Sequence, residues 1–279
     1  MVKAKVIRIA AIALAVCTLT SCAYSWHTIK VDNRRSGAVC VTENNSDVAL
    51  GHIENGVYYA PSGKQLSEGS APKVAKVLID VQDDMKELKQ VIGYAPQAME
   101  SHRPQSELSN FAIDCVMRRV EAETGRKVDV GLTNFGGIRC GVPQGDVILD
   151  DFVSMFPFVN YLVYIQISGA QLRDLFEKMV NRGKIEVCGG VEIVIDKKAK
   201  KITSFKVGGE PLDDGKMYGL ASIDFLLKGG DNINLQERAS EVVKTDLLIR
   251  TAVLDEVYAL RDAGKPLEYH LDNRVIVNE

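Results

Sequence analysis

Leu132-Thr133-Asn134-Phe135-Gly136-Gly137-Ile138-Arg139 is the stretch from which the fold is read. It closes a strand-like run, Val128 to Thr133, in a side-chain amide. Two glycines then let the backbone turn tightly or approach a ligand closely. An arginine ends the turn, and its planar, permanently charged fork suits phosphate or carboxylate. Together these residues make a small polar docking point at the end of a strand. The same residues also fit a plain structural turn with a solvated arginine.

Two downstream segments bear on that choice: Phe156-Pro157-Phe158-Val159-Asn160 and Asp224-Phe225-Leu226-Leu227-Lys228-Gly229-Gly230-Asp231-Asn232. Phe158 and Phe225 lie in proline- or glycine-flanked loops rather than at core spacing. They either present flat faces to a planar base or plug the core locally. Asp231, after two glycines, accepts paired hydrogen bonds as vicinal hydroxyls require, or makes an Asp-Asn turn. In order and separation, the three segments resemble the C-terminal, substrate-specificity domain of the 5′-nucleotidase family. That family comprises nucleotidases, UDP-sugar hydrolases and 2′,3′-cyclic phosphodiesterases. Asn134-x-Gly136-Gly137-Ile138-Arg139 is similar to its N-x-G-G-I-R, Phe156-Pro157-Phe158 to its P-F segment, and Phe225 to Asp231 to its F-L-x-x-G-G-D. Arg103-Pro104-Gln105-Ser106-Glu107-Leu108-Ser109-Asn110, with Asp114 following, resembles the family's helix start. The resemblance runs from about Trp26 to the C-terminus.

The resemblance implies an α+β fold with mixed β-sheets and packed helices, and a nucleotide or nucleoside ligand. It implies that Phe158 and Phe225 clamp the base and that Asp231 takes the ribose hydroxyls. Asn134 then reads base or ribose, and Arg139, with Arg103, holds the phosphate end. Gly189-Gly190 brings a backbone group near the base. Family members carry a glycine where Ser109 stands and commonly another at Phe135, so the first loop departs from the family pattern.

Catalysis in that family resides in a separate N-terminal metallophosphatase domain, which holds two metal ions on clustered His and Asp ligands. The four histidines here, His27, His52, His102 and His270, stand in no D-x-H, N-H-D or H-x-H arrangement. No catalytic or metal-ligating residue is expected in this chain, and divalent metals only in a partner. The expectation is a substrate-binding domain working with a separately encoded metallophosphatase subunit in extracytoplasmic nucleotide hydrolysis and catabolism. The alternative is a non-catalytic, nucleoside-binding envelope lipoprotein; a fold reused as an interaction surface is a third reading.

Lys3, Lys5 and Arg8 precede an apolar run, Ile9 to Leu19, too short for a membrane span. Leu19-Thr20-Ser21-Cys22 resembles a bacterial lipoprotein signal. On that reading residues 1–21 are a signal peptide and residues 22–279 the binding domain. Lipidated Cys22 then anchors the protein in the cell envelope, at the outer membrane or periplasm. An ordinary signal peptide with a chance cysteine is the other possibility. A net charge of −3 argues against nucleic acid as a partner. Cys40, Cys115, Cys140 and Cys188 remain, in any of three disulfide pairings or as free thiols.

Periodicity predicts an amphipathic helix over 73–91 and another over 106–123, whose inner face runs from Leu108 through Phe111 and Cys115. A short helix is expected over 150–155, a strand over 161–168 and a helix over 169–180. A hairpin follows over 191–196 and 202–207, with the solvated Lys197–Lys201 turn between its strands. Further strands are expected over 29–31, 218–223 and 275–277, and a long helix over 245–263.

Overall fold

The computed structural model describes residues 41–42 and 44–279; the leader, Cys22, the strand expected over 29–31 and Cys40 lie outside them. The described chain opens with α1 (Ser46–Leu50) and a small antiparallel sheet of β1 (His52–Glu54), β2 (Val57–Tyr59) and β3 (Gln65–Leu66). Helix α2 (Ala71–Asp80) follows and is shorter than expected. Pro72 sits in its first turn, where a missing N–H costs nothing. Past Asp80 the helical bonding breaks into turns, and Val91 instead opens β4 (Val91–Ala95). The apolar spacing of Val74, Val77 and Leu78 marks an exposed face, and Ala75 is the one buried residue of α2.

Helix α3 (Glu107–Thr124) is fixed at its start by a reciprocal cap. The Ser106 hydroxyl accepts from the Ser109 N–H at 3.2 Å, and the Ser109 hydroxyl accepts from the Ser106 N–H at 2.9 Å. Ser109, where the family carries glycine, thus has a local job. Next come β5 (Val130–Thr133), β6 (Gly145–Ile148), α4 (Leu149–Met155), β7 (Tyr161–Ser168), α5 (Gly169–Asn181) and β8 (Val187–Gly189). Then follow β9 (Val191–Asp196), β10 (Lys201–Val207), β11 (Glu210–Pro211), β12 (Met217–Ile223), α6 (Asp224–Leu227), β13 (Glu241–Leu248), α7 (Ile249–Asp262) and β14 (Val275–Asn278).

The central sheet has the order β13-β7-β12-β5-β8. β5 and β12 run parallel; the other pairs are antiparallel. A second sheet, β11-β10-β9-β14, is also mixed, so the molecule is α+β with mixed sheets and packed helices. All four residues of β5 are buried, as its unbroken apolar run requires of a strand covered on both faces. Helix α3 packs against β5, β12, β7 and β8, and α5 packs against β7 and β10, where Phe176 meets Phe205 edge-on at 5.1 Å. Close seating of α3 depends on Gly131, which faces Gly189 across the β5–β8 pair. A Cβ on Gly131 would come within 2.7 Å of Ile113 and Met117.

The helix expected over 245–263 begins only at Ile249; residues 241–248 form β13 instead. β13 is a half-exposed edge strand on β7, so its polar residues blur the alternation and its valines read on into the following helix.

Arg274, 5% exposed, is the most deeply buried charge described. Its guanidinium donates to both Asp114 oxygens at 2.9 Å, to Asp272 at 2.6 Å and to the Cys188 carbonyl at 3.3 Å. Tyr269 donates its hydroxyl to Asp114 as well. Burial, reinforced by that bond, pushes the Tyr269 phenol up to about 12. Partial burial works against the Asp272 carboxylate, but the bonds and charge of Arg274 outweigh it and hold the carboxyl below its usual value. Cys115, Cys140 and Cys188 are free thiols, so none of the disulfides possible among these three is formed.

Candidate functional site

The site grows out of one edge of the central sheet. β5 and β12 run parallel, so Asn134, just after β5, and Asp224-Phe225, just after β12, leave the same edge. β7 is antiparallel to β12, with Leu162 opposite Ile223, so the Phe158 loop enters the sheet at that edge too. Loops at the carboxyl ends of parallel strands are where open α/β sheets bind ligands.

Three hydrogen bonds tie these loops together. The Arg139 N–H donates to the Met155 carbonyl at 3.0 Å, fixing the glycine turn to the Phe156–Phe158 segment. The Tyr161 N–H donates to Asp224 Oδ1 at 3.0 Å, fixing the Phe158 loop to the Phe225 loop. Asn134 Nδ2 donates to Asp231 Oδ2 at 2.7 Å, closing the ring. The carboxylate as acceptor fixes which end of the amide is nitrogen. Asn134 is buried, and its Oδ1 has no hydrogen-bond partner.

Phe158 and Phe225 are 49% and 41% exposed, unusual for phenylalanines flanked by a continuous core. Phe156, two residues before Phe158, is buried and supplies the core plug. A Cβ on Gly230 would overlap the Phe225 ring, so that glycine lets the ring lie flat against the turn. Asp231 and Asn232 both adopt left-handed backbone, with φ of 52° and 58°. Two successive non-glycine residues there hold local strain of the sort found at ligand clamps. The Arg139 guanidinium lies 5.9 Å from the Phe158 ring centre, donates to the Gly136 carbonyl at 3.3 Å, and is exposed.

Arg103 lines a hollow together with Gly136 and Asp231. Its guanidinium stacks 4.6 Å over Phe135, pairs with Glu186 at 2.5 Å and donates to the Ile185 carbonyl at 3.0 Å. The second Glu186 oxygen accepts the Phe135 N–H at 2.9 Å. Phe135, where the family often has glycine, is thus covered by an arginine that a buried glutamate orients.

Two hollows flank the Asn134–Asp231 bond. A narrow one is lined by Asn134, Phe158 and Asn160 over Ile223 and Ile249. The other, about 500 Å³, is lined by Arg103, Arg182, Lys184, Glu186, Asp231 and Asn232. The structure therefore gathers Asn134, Phe158, Phe225, Asp231 and Arg139 at one sheet edge and sets Arg103 in the second hollow. Sequence reading missed Asn160, Arg182, Lys184 and Glu186. Glu186 carries a signal, a lone carboxylate between Ile185 and Val187; the exposed turn bearing Arg182 and Lys184 carries none. Among the described residues, no group of three or more His, Cys, Asp or Glu side chains is placed to hold a metal ion.

Residues 90–238 match the family model described as 5′-nucleotidase, C-terminal domain, a narrower span than the one from Trp26 onward that the motifs suggest. Protein UshA of Yersinia enterocolitica is 30% identical over 131 residues, covering 46% of this chain and 22% of that protein. The crystal structure of a 5′-nucleotidase precursor from Thermus thermophilus superposes with a TM-score of 0.64 at 23% identity, covering 80% of this chain and 49% of that one. The Haemophilus influenzae NAD nucleotidase structure gives 0.57 at 16% identity, covering 80% and 48%. The chain thus spans about a fifth of that curated relative and about half of those solved structures.

Proposed function

This chain belongs to the 5′-nucleotidase C-terminal domain family, and from that premise we propose that it is the nucleoside-holding half of a phosphoester hydrolase. Phe158 and Phe225 sandwich the base. Asp231 takes the ribose hydroxyls, and the open Asn134 oxygen accepts a donor from base or ribose. Arg139, beside Phe158, meets the phosphate end, while Arg103, held by Glu186, borders the ribose side. The metal-dependent attack on the phosphoester belongs to a separately encoded metallophosphatase chain that closes over the same edge. Lipid on Cys22 keeps the pair at the cell envelope, where nucleotide breakdown feeds nucleoside uptake.

The observation that carries this reading is the buried Asn134 amide, bonded to Asp231 at one end and unpartnered at the other, in a hollow it shares with half-exposed Phe158. An unsatisfied buried acceptor costs about 1–3 kcal/mol, a cost a ligand donor would remove. Isothermal titration with adenosine and AMP tests the reading. Phe225→Ala and Asp231→Ala are each expected to weaken binding tenfold or more, in line with stacking on the order of 1–3 kcal/mol per base. Unchanged affinity in both variants would overturn the assignment. The partner is tested by recovery of a metallophosphatase chain with the native protein, and the anchor by loss of membrane association in Cys22→Ser.

A further inference from the structure

Residues 46–80 form a lobe in which α1, the β1–β3 sheet and α2 pack on one another. His52 stacks on Tyr59 at 4.9 Å across the β1–β2 pair, and the Tyr58 hydroxyl donates to the Leu50 carbonyl at 2.7 Å. Ala75 is nonetheless the one apolar side chain of the lobe that is buried. A lobe so poor in core has little stability of its own, and a ten-residue helix is marginal in water without packing.

Helix α2 turns its apolar side outward. Val74, Val77 and Leu78, spaced i, i+3 and i+4, share one face and are 56%, 61% and 48% exposed. Val48 of neighbouring α1 is 67% exposed. Contiguous apolar surface of this kind marks an interaction site. A lipid surface fits it poorly, because the lobe's three lysines are outnumbered by four carboxylates and offer no net positive charge to anionic headgroups.

The place of the lobe in the chain says what covers it. The matched C-terminal domain begins at residue 90, after the lobe. The fold shared with the Thermus thermophilus structure covers 80% of this chain, more than residues 90–279 make up, so it reaches into the lobe; about half of that structure is left uncovered. A C-terminal domain follows the rest of its chain, so the lobe stands at the seam where that remainder adjoins. The lobe is also joined to the base site. The turns after α2 are tied to the start of α4, where the Asp150 N–H donates to the Leu88 carbonyl at 2.8 Å and the Leu149 N–H to the Gln90 carbonyl at 3.0 Å. The far end of α4, a helix of seven residues and so about 10 Å long, leads directly into Phe156 and Phe158.

We propose that the Val74–Val77–Leu78 face of α2 is the docking surface on which a separate metallophosphatase chain is held. The assignment rests on the two-chain reading above and adds the surface that joins the chains. The partner presents an apolar patch to α2, completes the core that the lobe lacks, and is held one short helix away from the Phe158 loop.

The test compares the native protein, tagged at its C-terminus, with Val74→Glu/Val77→Gln, whose new residues are good helix formers at exposed positions. Both are recovered from the envelope of the source cell, and co-purifying chains are screened for D-x-H, N-H-D and H-x-H motifs. The metallophosphatase chain so identified is then purified and titrated onto each form. It is expected to bind the native protein and Val77→Leu alike and the double variant at least tenfold more weakly, with adenosine affinity and melting temperature the same in all three. Equal binding to the double variant overturns the surface and leaves the two-chain reading standing. Recovery of no such chain with the native protein overturns both. Docking that depends on the valines in a protein that binds no adenosine supports the surface and removes the nucleoside reading. Two further measurements use the Cys22→Ser protein. Flotation with vesicles of phosphatidylethanolamine and phosphatidylglycerol, lost in the double variant, would assign the face to lipid and overturn the proposal. A dimer in sedimentation, lost in the double variant, would assign it to a second copy and overturn it likewise.

Discussion

Asn134 and Phe225 show what single side chains contribute. Phe225 lies flat because Gly230 has no side chain. Gly230→Ala should therefore lift the ring and weaken adenosine binding nearly as much as Phe225→Ala, with little loss of stability, because Phe225 is already 41% exposed. Titration and thermal melting of the same variant separate the two effects. The thiols behave oppositely. Burial pushes Cys188 up to about 12 and Cys115 well above its ordinary value, outweighing the nearby charges of Arg274 and Arg118. At pH 8 neither should react with a thiol reagent in the native protein, and both should react on unfolding; half-buried Cys140 should react slowly in the native state.

At the scale of elements, the closest fit is α3 against β5. Gly131→Val would force a branched side chain into Ile113 and Met117, and overpacking of that kind costs about 1–3 kcal/mol. Denaturant unfolding should show the loss, and adenosine affinity of the folded fraction should hold, since Gly131 lies inside the strand and away from its ligand edge. Elements with one dominant period were legible from sequence: α3, β7, α5 and the β9–β10 hairpin. Edge and short strands were not. β13 carries Glu241, Lys244 and Asp246 because one side faces water, and β8 has only three residues. The exposed valines of α2 show the limit of periodicity, which reports an apolar face without reporting that anything covers it. Asn134, Phe158, Phe225 and Asp231 were legible as loop residues of unusual chemistry. Their meeting was not, because it depends on β5 and β12 lying side by side and parallel.

Across the whole molecule, the Arg274–Asp114–Asp272–Tyr269 cluster joins α3 to the C-terminal segment and to β8. Arg274→Met strands a partly buried Asp114 and should cost about 3–5 kcal/mol, read as a shift in denaturation midpoint. The cluster also sets the response to pH. Tyr269 has its folded value raised to about 12, above an unfolded value near 10, so its contribution is complete below pH 10 and lost as pH rises toward 12. The buried thiols start the same decline nearer pH 9. Asp272 works at the other end: its folded value is lowered, so its contribution is present above pH 4 and lost as pH falls through that lowered value. Melting temperatures between pH 9 and 12 should fall less steeply in Tyr269→Phe. The Asn134–Asp231 bond has a consequence of another kind, since its partners stand 97 residues apart in the chain. A ribosome that has released the protein only as far as Val207 has made the amide and not the carboxylate. The pocket is therefore among the last features to exist during synthesis, and a nucleoside cannot act as a template for the early steps of folding. It can only trap the finished sheet, which makes ligand-induced protection from proteolysis a report on complete, rather than partial, folding.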